Sequence, residues 1–268
     1  MDLTLIPVFL AIGCVVGFVA GLLGIGGGMT MIPLLTLIFS YEHFPEDDIL
    51  HIAVATSMAT IVFTSIASVR AHNRHGAVLW PVFWKLAPGI LIGSLAGPQI
   101  VSGMSTRLLS GVFALFASYT ATRLLRNKLP KASRELPGAF GLLLVGSGIG
   151  ALSSMVGAGG GFVSVPFMTA CNVRLHNAVA TSAALGLPIA VAGTAGFLIA
   201  GFRHPGLPPY TVGYIYLPAL IAIVSASMLI APIGVRLAHR WPVARLRHAF
   251  AGLMYVIAAF FFWKLVKG

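Results

Sequence analysis

The groups best suited to chemistry in this chain are backbone amides and hydroxyls, and they come in pairs. The stretch GFVAGLLGIGGGMTMIPL, Gly17 to Leu34, returns 133 positions later as GALSSMVGAGGGFVSVPF, Gly150 to Phe167. Six positions are identical: Gly17/Gly150, Gly24/Gly157, Gly26/Gly159, Gly27/Gly160, Gly28/Gly161 and Pro33/Pro166. Glycines inside an apolar segment weaken a helix and free its amide donors. A helix that reopens after such a break, here at Met29 and Phe162, turns those donors toward an anion. A second pair, HIAVATSMA from His51 and HNAVATSAA from His176, shares seven of nine residues at an offset of 125. Its hydroxyls, Thr56, Ser57, Thr181 and Ser182, can donate to the same anion. The candidate substrate-binding set is therefore Gly24, Gly26, Gly27, Gly28, Met29, Thr56, Ser57, Gly157, Gly159, Gly160, Gly161, Phe162, Thr181 and Ser182. Each member also has a plainer reading. Small residues let membrane helices approach closely, and Ser or Thr hydroxyls often bond their own helix carbonyls.

The chemistry left out is equally informative. All six carboxylates, Asp2, Glu42, Glu46, Asp47, Asp48 and Glu135, fall in terminal or loop positions, which argues against coupling through a buried acid and against a metal site. No nucleophile, base and orienting group fall together, so an enzyme is not expected, and no cofactor motif is present. Cys14 and Cys171 do not correspond between the repeats and read as small packing residues. His51 and His176 sit in the first turns of their segments, as interfacial residues or as candidates for proton coupling or gating. Lys85, in WPVFWKLAPG, is a further candidate of that kind, though such a lysine commonly snorkels to the surface.

The elements that must position these groups are apolar and many. Of 268 residues, 58% are hydrophobic and 9% charged, the composition of an all-α integral membrane protein. The net charge of +11 lies in short basic loops, which is the cytoplasmic-loop pattern and excludes a nucleic-acid partner. Apolar segments run over about 5–24, 29–40, 50–70, 78–98 and 106–125, then 138–157, 162–171, 176–200, 211–235 and 246–266. This divides the chain into a first repeat (1–126), a basic cytoplasmic linker (127–137) and a second repeat (138–268). The offset falls from 133 to 125 because the first half carries eight more residues between its motifs, for which the acidic stretch YEHFPEDD is the obvious place. Asp47 and Asn172, equivalent at that offset, are good N-caps. Capping at the surface would put Thr56 and Thr181 about 13.5 Å deeper, near the bilayer centre. The segment 29–40 is about 18 Å of helix, short for a core of roughly 30 Å, and reads as a short or re-entrant helix. Each half then crosses the membrane an odd number of times, so the five-segment repeats are expected to be inverted, with their Gly-broken helices meeting near the midplane.

With these motifs in hand, the chain resembles the TauE/SafE sulfite exporter family, also described as the toluene-sulfonate uptake permease family. The resemblance covers nearly the whole chain through the paired GLLGIGGG…P and VGAGGG…P motifs, the two H-x-AVATS segments and the basic linker. It implies a multi-pass protein of the bacterial inner (plasma) membrane that moves small sulfur-containing anions such as sulfite, sulfonates or sulfoacetate. The expected protein is thus a secondary transporter working by alternating access, with the lipid bilayer as its surroundings and proton coupling as an option. Export is favoured because an inside-negative potential drives an anion outward by about 2.3 kcal/mol per charge per 100 mV. An anion channel, or a permease for a different small organic anion, is the alternative. Neither the oligomeric state nor the direction of transport is encoded in these motifs.

Overall fold

The computed structural model describes residues 5–23, 27–74, 76–126, 135–238 and 243–267. Gly24 and Gly26 of the candidate set, and most of the basic linker, lie outside these described residues. Ten helices follow in order: α1 (Leu5–Leu23), α2 (Gly28–Tyr41), α3 (Glu46–Arg74), α4 (Trp80–Ser102), α5 (Thr106–Arg126), α6 (Ala139–Met155), α7 (Gly161–Ala170), α8 (Leu175–Phe202), α9 (Leu217–Ala238) and α10 (Val243–Lys267). Among the described residues, four stretches are long and apolar enough to cross a membrane by length and composition: Glu46–Arg70, Thr106–Arg126, Leu175–Phe202 and His248–Val266. The two broken-motif helices are short, about 21 Å for the 14 residues of α2 and about 15 Å for the 10 of α7.

Helix α1 packs along α9 and α4 along α6, while α3 packs on α8 and α5 on α10. If the halves are exchanged, α1 becoming α6 and α4 becoming α9, these four pairings are unchanged. The two long crossings are made by small residues. On α1, a Cβ at Gly13 would stand 2.7 Å from Ala226 Cβ, and one at Gly17 would stand 2.6 Å from Ser227 Cα of α9. On α6, Gly146 and Gly150 meet Leu86 and Ile90 of α4 in the same way, while Gly89 and Gly93 of α4 press on the carbonyls of Leu143 and Ser147. The Gly17/Gly150 identity of the repeat is thus a helix-crossing position, as small residues are in membranes.

The structure corrects two expectations about the caps and one about a segment. Asp47 does not cap α3; it lies inside the first turn, and the carbonyl of Pro45 receives the amides of Asp48 and Ile49. Asn172 closes α7 instead. It takes a left-handed conformation (φ 62°), and the amide of Val173 reaches back to Met168 O at 3.0 Å. His43 (φ 56°) closes α2 identically, with Phe44 N to Phe39 O at 3.0 Å, so His43 is the true counterpart of Asn172. Nor do the eight extra residues make a longer loop. The loop is four residues in both halves, 42–45 and 171–174. The excess is two helical turns: four residues in α2, 14 against 10, and four in α3, where five residues precede His51 against one before His176.

The segment expected from residue 211 begins as helix only at Leu217. Thr211–Val212 and Ile215–Tyr216 form an antiparallel hairpin instead, pairing Thr211 with Tyr216 and Val212 with Ile215. Gly213, at φ 55°, holds the first position of its two-residue turn, which favours glycine.

The close crossings give a stability test. Gly93→Val should destabilise by at least about 1–3 kcal/mol, because overpacked backbone cannot yield as a side chain does. Gly148, on the exposed side of α6 with open space around it, should accept alanine with unchanged or higher stability. Thermal unfolding in detergent reads both; equal midpoints would contradict the packing described.

Candidate functional site

Both glycine breaks end in the same local structure. Gly27 (φ 65°, ψ −10°) and Gly160 (φ 80°, ψ −21°) are left-handed N-caps of α2 and α7, at equivalent repeat positions. Side chains with a Cβ rarely adopt this conformation, so glycine is favoured at both. The amides of Thr30 and Met31 return to Gly27 O at 3.1 and 3.2 Å, and those of Val163 and Ser164 to Gly160 O at 3.1 and 2.9 Å. Helix geometry leaves the preceding amides, Gly28 and Met29 in one half and Gly161 and Phe162 in the other, without an intrahelical partner.

The two breaks abut. A Cβ on Gly28 would run into the carbonyl oxygen of Gly157, and one on Gly157 would stand 2.6 Å from Ile32 Cδ1 of α2. Gly27, Met29 and Thr30 share a cleft with Phe162 of the other half, closed by Val19 and Ala20 of α1 and Phe250 of α10. Gly159 O faces Gly186 of α8, where a Cβ would stand 3.1 Å away.

The serines of the second motif reach these breaks. Ser57 donates to Gly28 O at 3.1 Å, which sets the start of α2 about 16 Å along α3. Ser182 lies 2.6 Å from Ser164 Oγ, and Ser164 donates to Gly160 O at 2.9 Å. Sequence reasoning missed Ser164, and it also missed Ser153 of α6. Ser153 Oγ is buried with no hydrogen-bond partner among the described residues, 3.9 Å from where a Cβ on Gly160 would stand. The available signal was a buried hydroxyl one turn before the break. Recurrence could not reveal it, because the equivalent position in the first half is Ala20.

The threonines are engaged elsewhere. Thr56 Oγ1 accepts the amide of Tyr216 at 3.0 Å, and Thr181 Oγ1 accepts the amide of Leu79 at 2.9 Å. Both amides belong to the residue just before a helix of the opposite half, α9 and α4 respectively.

The two histidines have unlike surroundings. His51 is buried, with Nδ1 2.8 Å from Asp47 O and Nε2 2.9 Å from Val101 O at the end of α4. Carbonyls only accept, so a neutral ring donates to one and a doubly protonated ring to both. His176 is exposed, one residue after the start of α8, whereas five residues of α3 precede the buried His51. Lys85 is exposed on α4 beside Trp80 and Trp84, an arrangement suited to a membrane interface and away from the breaks.

Near the start of α3, His204 Nε2 meets the buried Asp48 carboxylate at 3.1 Å. The Tyr214 ring stacks on His51 with centroids 5.5 Å apart. Burial, and secondarily the Asp48 charge, push the Tyr214 phenol up to about 12, so it stays un-ionised at neutral pH. Burial also raises Tyr216, reinforced by Glu42 and Tyr210.

His51→Ala should cost about 1–3 kcal/mol by removing a buried ring that ties α3 to Val101 O at the end of α4, while the exposed His176→Ala should stay within about 0.5 kcal/mol of the parent. Thermal unfolding of the two variants side by side checks this, and equal losses would contradict the assignment of His51 as a link between α3 and α4.

Residues 9–261 match the family described as Sulfite exporter TauE/SafE. A Haemophilus influenzae protein named "Probable membrane transporter protein" is 32% identical over 97% of this chain and 99% of its own length. A Methanocaldococcus jannaschii protein of similar name is 26% identical over 96% of each, and one from Bacillus subtilis is 27% identical over 87% of this chain and 90% of its own. No solved structure matches significantly. With its glycine-capped helix pair, its helices able to span a bilayer and this match over nearly its full length, the chain belongs to the TauE/SafE sulfite exporter family of multi-pass membrane transporters.

Proposed function

We propose that the protein is a secondary transporter, working by alternating access, that carries a small sulfur-containing anion such as sulfite, a sulfonate or sulfoacetate across the bacterial inner membrane. The observation that carries this reading is the pair of glycine breaks capped by Gly27 and Gly160, which abut where Gly28 meets the Gly157 carbonyl, with the unpartnered Ser153 hydroxyl beside the second. Two helix starts with free amides converge there from opposite halves, a favourable setting for negative charge. The amides of Gly161 and Phe162, with the hydroxyls of Ser153 and Ser182, would surround the oxygens of such an anion in the second half. The Gly28 and Met29 amides, with Ser57, would do so in the first.

Pairing of α1 with α9 and of α4 with α6 supports two inverted five-helix repeats, whose shared interface is where such carriers hold substrate. The short α2 and α7 act as half-helices in this reading, with their starts near the midplane and their far ends on opposite faces. In this reading the bias of basic residues puts the acidic stretch 41–49, the end of α2, its loop and the start of α3, outside.

Purified protein in liposomes should move sulfite or a small sulfonate saturably under an imposed potential, with congeners competing. Failure of every sulfur anion tried, with folded protein in the vesicles, would sink the substrate assignment. Unitary currents would replace the carrier with a channel. Ser153→Ala should raise KM roughly tenfold or more, as loss of a hydrogen bond to a charged group does, while leaving thermal stability unchanged because the hydroxyl has no partner to lose.

A further inference from the structure

We infer that Thr56 and Thr181 are the latches of two gates, one over each face of the site, rather than ligands of the transported anion. This inference rests on the alternating-access reading and adds to it the residues that hold each face shut. Each threonine is fully buried on one of the paired helices α3 and α8, and each hydroxyl is engaged by an amide of the opposite half. The amides are those of Tyr216 and Leu79, at the ends of the two segments that lead into α9 and α4. The motifs are equivalent in the repeat, and so are the helices whose starts they hold. An exchange of the halves therefore converts one latch into the other.

Both segments are plugs in form. On the side of the acidic loop, the hairpin Thr211–Tyr216 turns inward, with Tyr214 and Tyr216 almost wholly buried. Tyr216 stands edge-on to Phe9, Phe39 and Phe44, rings from α1, α2 and the loop after α2. The Gly201 position of α8 lies so close to the Gly213–Tyr214 backbone that no side chain fits between. The Asp48–His204 pair ties the segment before the hairpin to α3.

On the opposite side the plug is thinner. Ala77 and Val78 pack on Ala180 and Ala184 of α8, apart from the main core, and Asn177 Nδ2 donates to Ala77 O at 3.0 Å beside the Thr181 bond. Ser57 and Ser182, the next residues after the latches, are the ones that touch the breaks. Opening either plug would therefore uncover one of the two helix starts. A neutral hydrogen bond contributes little enough to be broken and remade on each cycle.

The test uses accessibility and needs no substrate. In full-length protein with Cys14 and Cys171 replaced by alanine, a reporter cysteine is placed at Thr30 in the cleft, and a membrane-impermeant methanethiosulfonate is added from either side of sealed vesicles. Thr56→Val should speed labelling from the acidic-loop side, and Thr181→Val from the other, each by roughly fivefold, the factor equivalent to one neutral hydrogen bond. Thr56→Ser and Thr181→Ser, which keep the acceptor, should leave both rates unchanged.

A short cross-link between cysteines at Ala77 and Asn177 should abolish labelling from the basic-loop side alone. Valine variants that label like the serine variants, rates that change on the wrong side, or continued labelling through the cross-linked gate would each overturn the inference. If labelling behaves as expected but no sulfur anion moves, the gates stand and only the substrate assignment falls.

Discussion

In hydrocarbon, a backbone amide that has no partner costs several kcal/mol, and this fold starts two helices at buried glycine breaks. The left-handed caps at Gly27 and Gly160 end one helix arm and start the next within a buried region, leaving helix-start amides exposed to whatever faces them. Neither half can cover its own break. Gly157 of the second half lies against Gly28 of the first, and Phe162 completes the cleft lined by Gly27 and Met29. The association of the halves is thus a condition for burying the breaks at all. The glycine crossings of α1 on α9 and α4 on α6 bring the halves close enough to meet it.

Two-fold pairing does not make the halves equal. Two additional helical turns lengthen the first half, one ending α2 and one starting α3, and His51 is buried with both ring nitrogens facing carbonyls while His176 is exposed. Ser153 beside the second break has Ala20 as its counterpart, so the second break carries a hydroxyl that the first lacks. The segment before α9 is an inserted hairpin bearing two buried tyrosines, whereas the segment before α4 is a few small residues.

The threonines show how one motif can do different work at adjacent positions. In Ala-Thr-Ser, successive residues are about 100° apart around a helix. Ser57 consequently points at the start of α2, while Thr56 points at the segment before α9. The same division holds for Ser182 and Thr181. Identity in both halves marked all four as important. Only their direction separates those beside the breaks from those that hold the opposite half.

What the sequence determined by itself was whatever local pattern and duplication encode. Apolar runs placed ten helices, and the doubled glycines placed the two breaks. These follow from composition and spacing, because a lipid environment imposes helices and penalises buried charge wherever the chain sits. The tertiary structure decided what depends on neighbours distant in sequence. The acids at 46–48, read as loop residues, instead open α3, with Asp48 buried against His204. Asp47 looks like a cap, but Pro45 starts the helix; Asn172 serves the end of α7. Residues 211–216 read as helix by apolarity but pair as a hairpin around Gly213. Ser153 had no counterpart to announce it, and its hydroxyl became notable only when Gly160 folded back beside it. Sequence periodicity reports which face is apolar; which amide, hydroxyl or ring stands opposite is fixed only when the halves pack together.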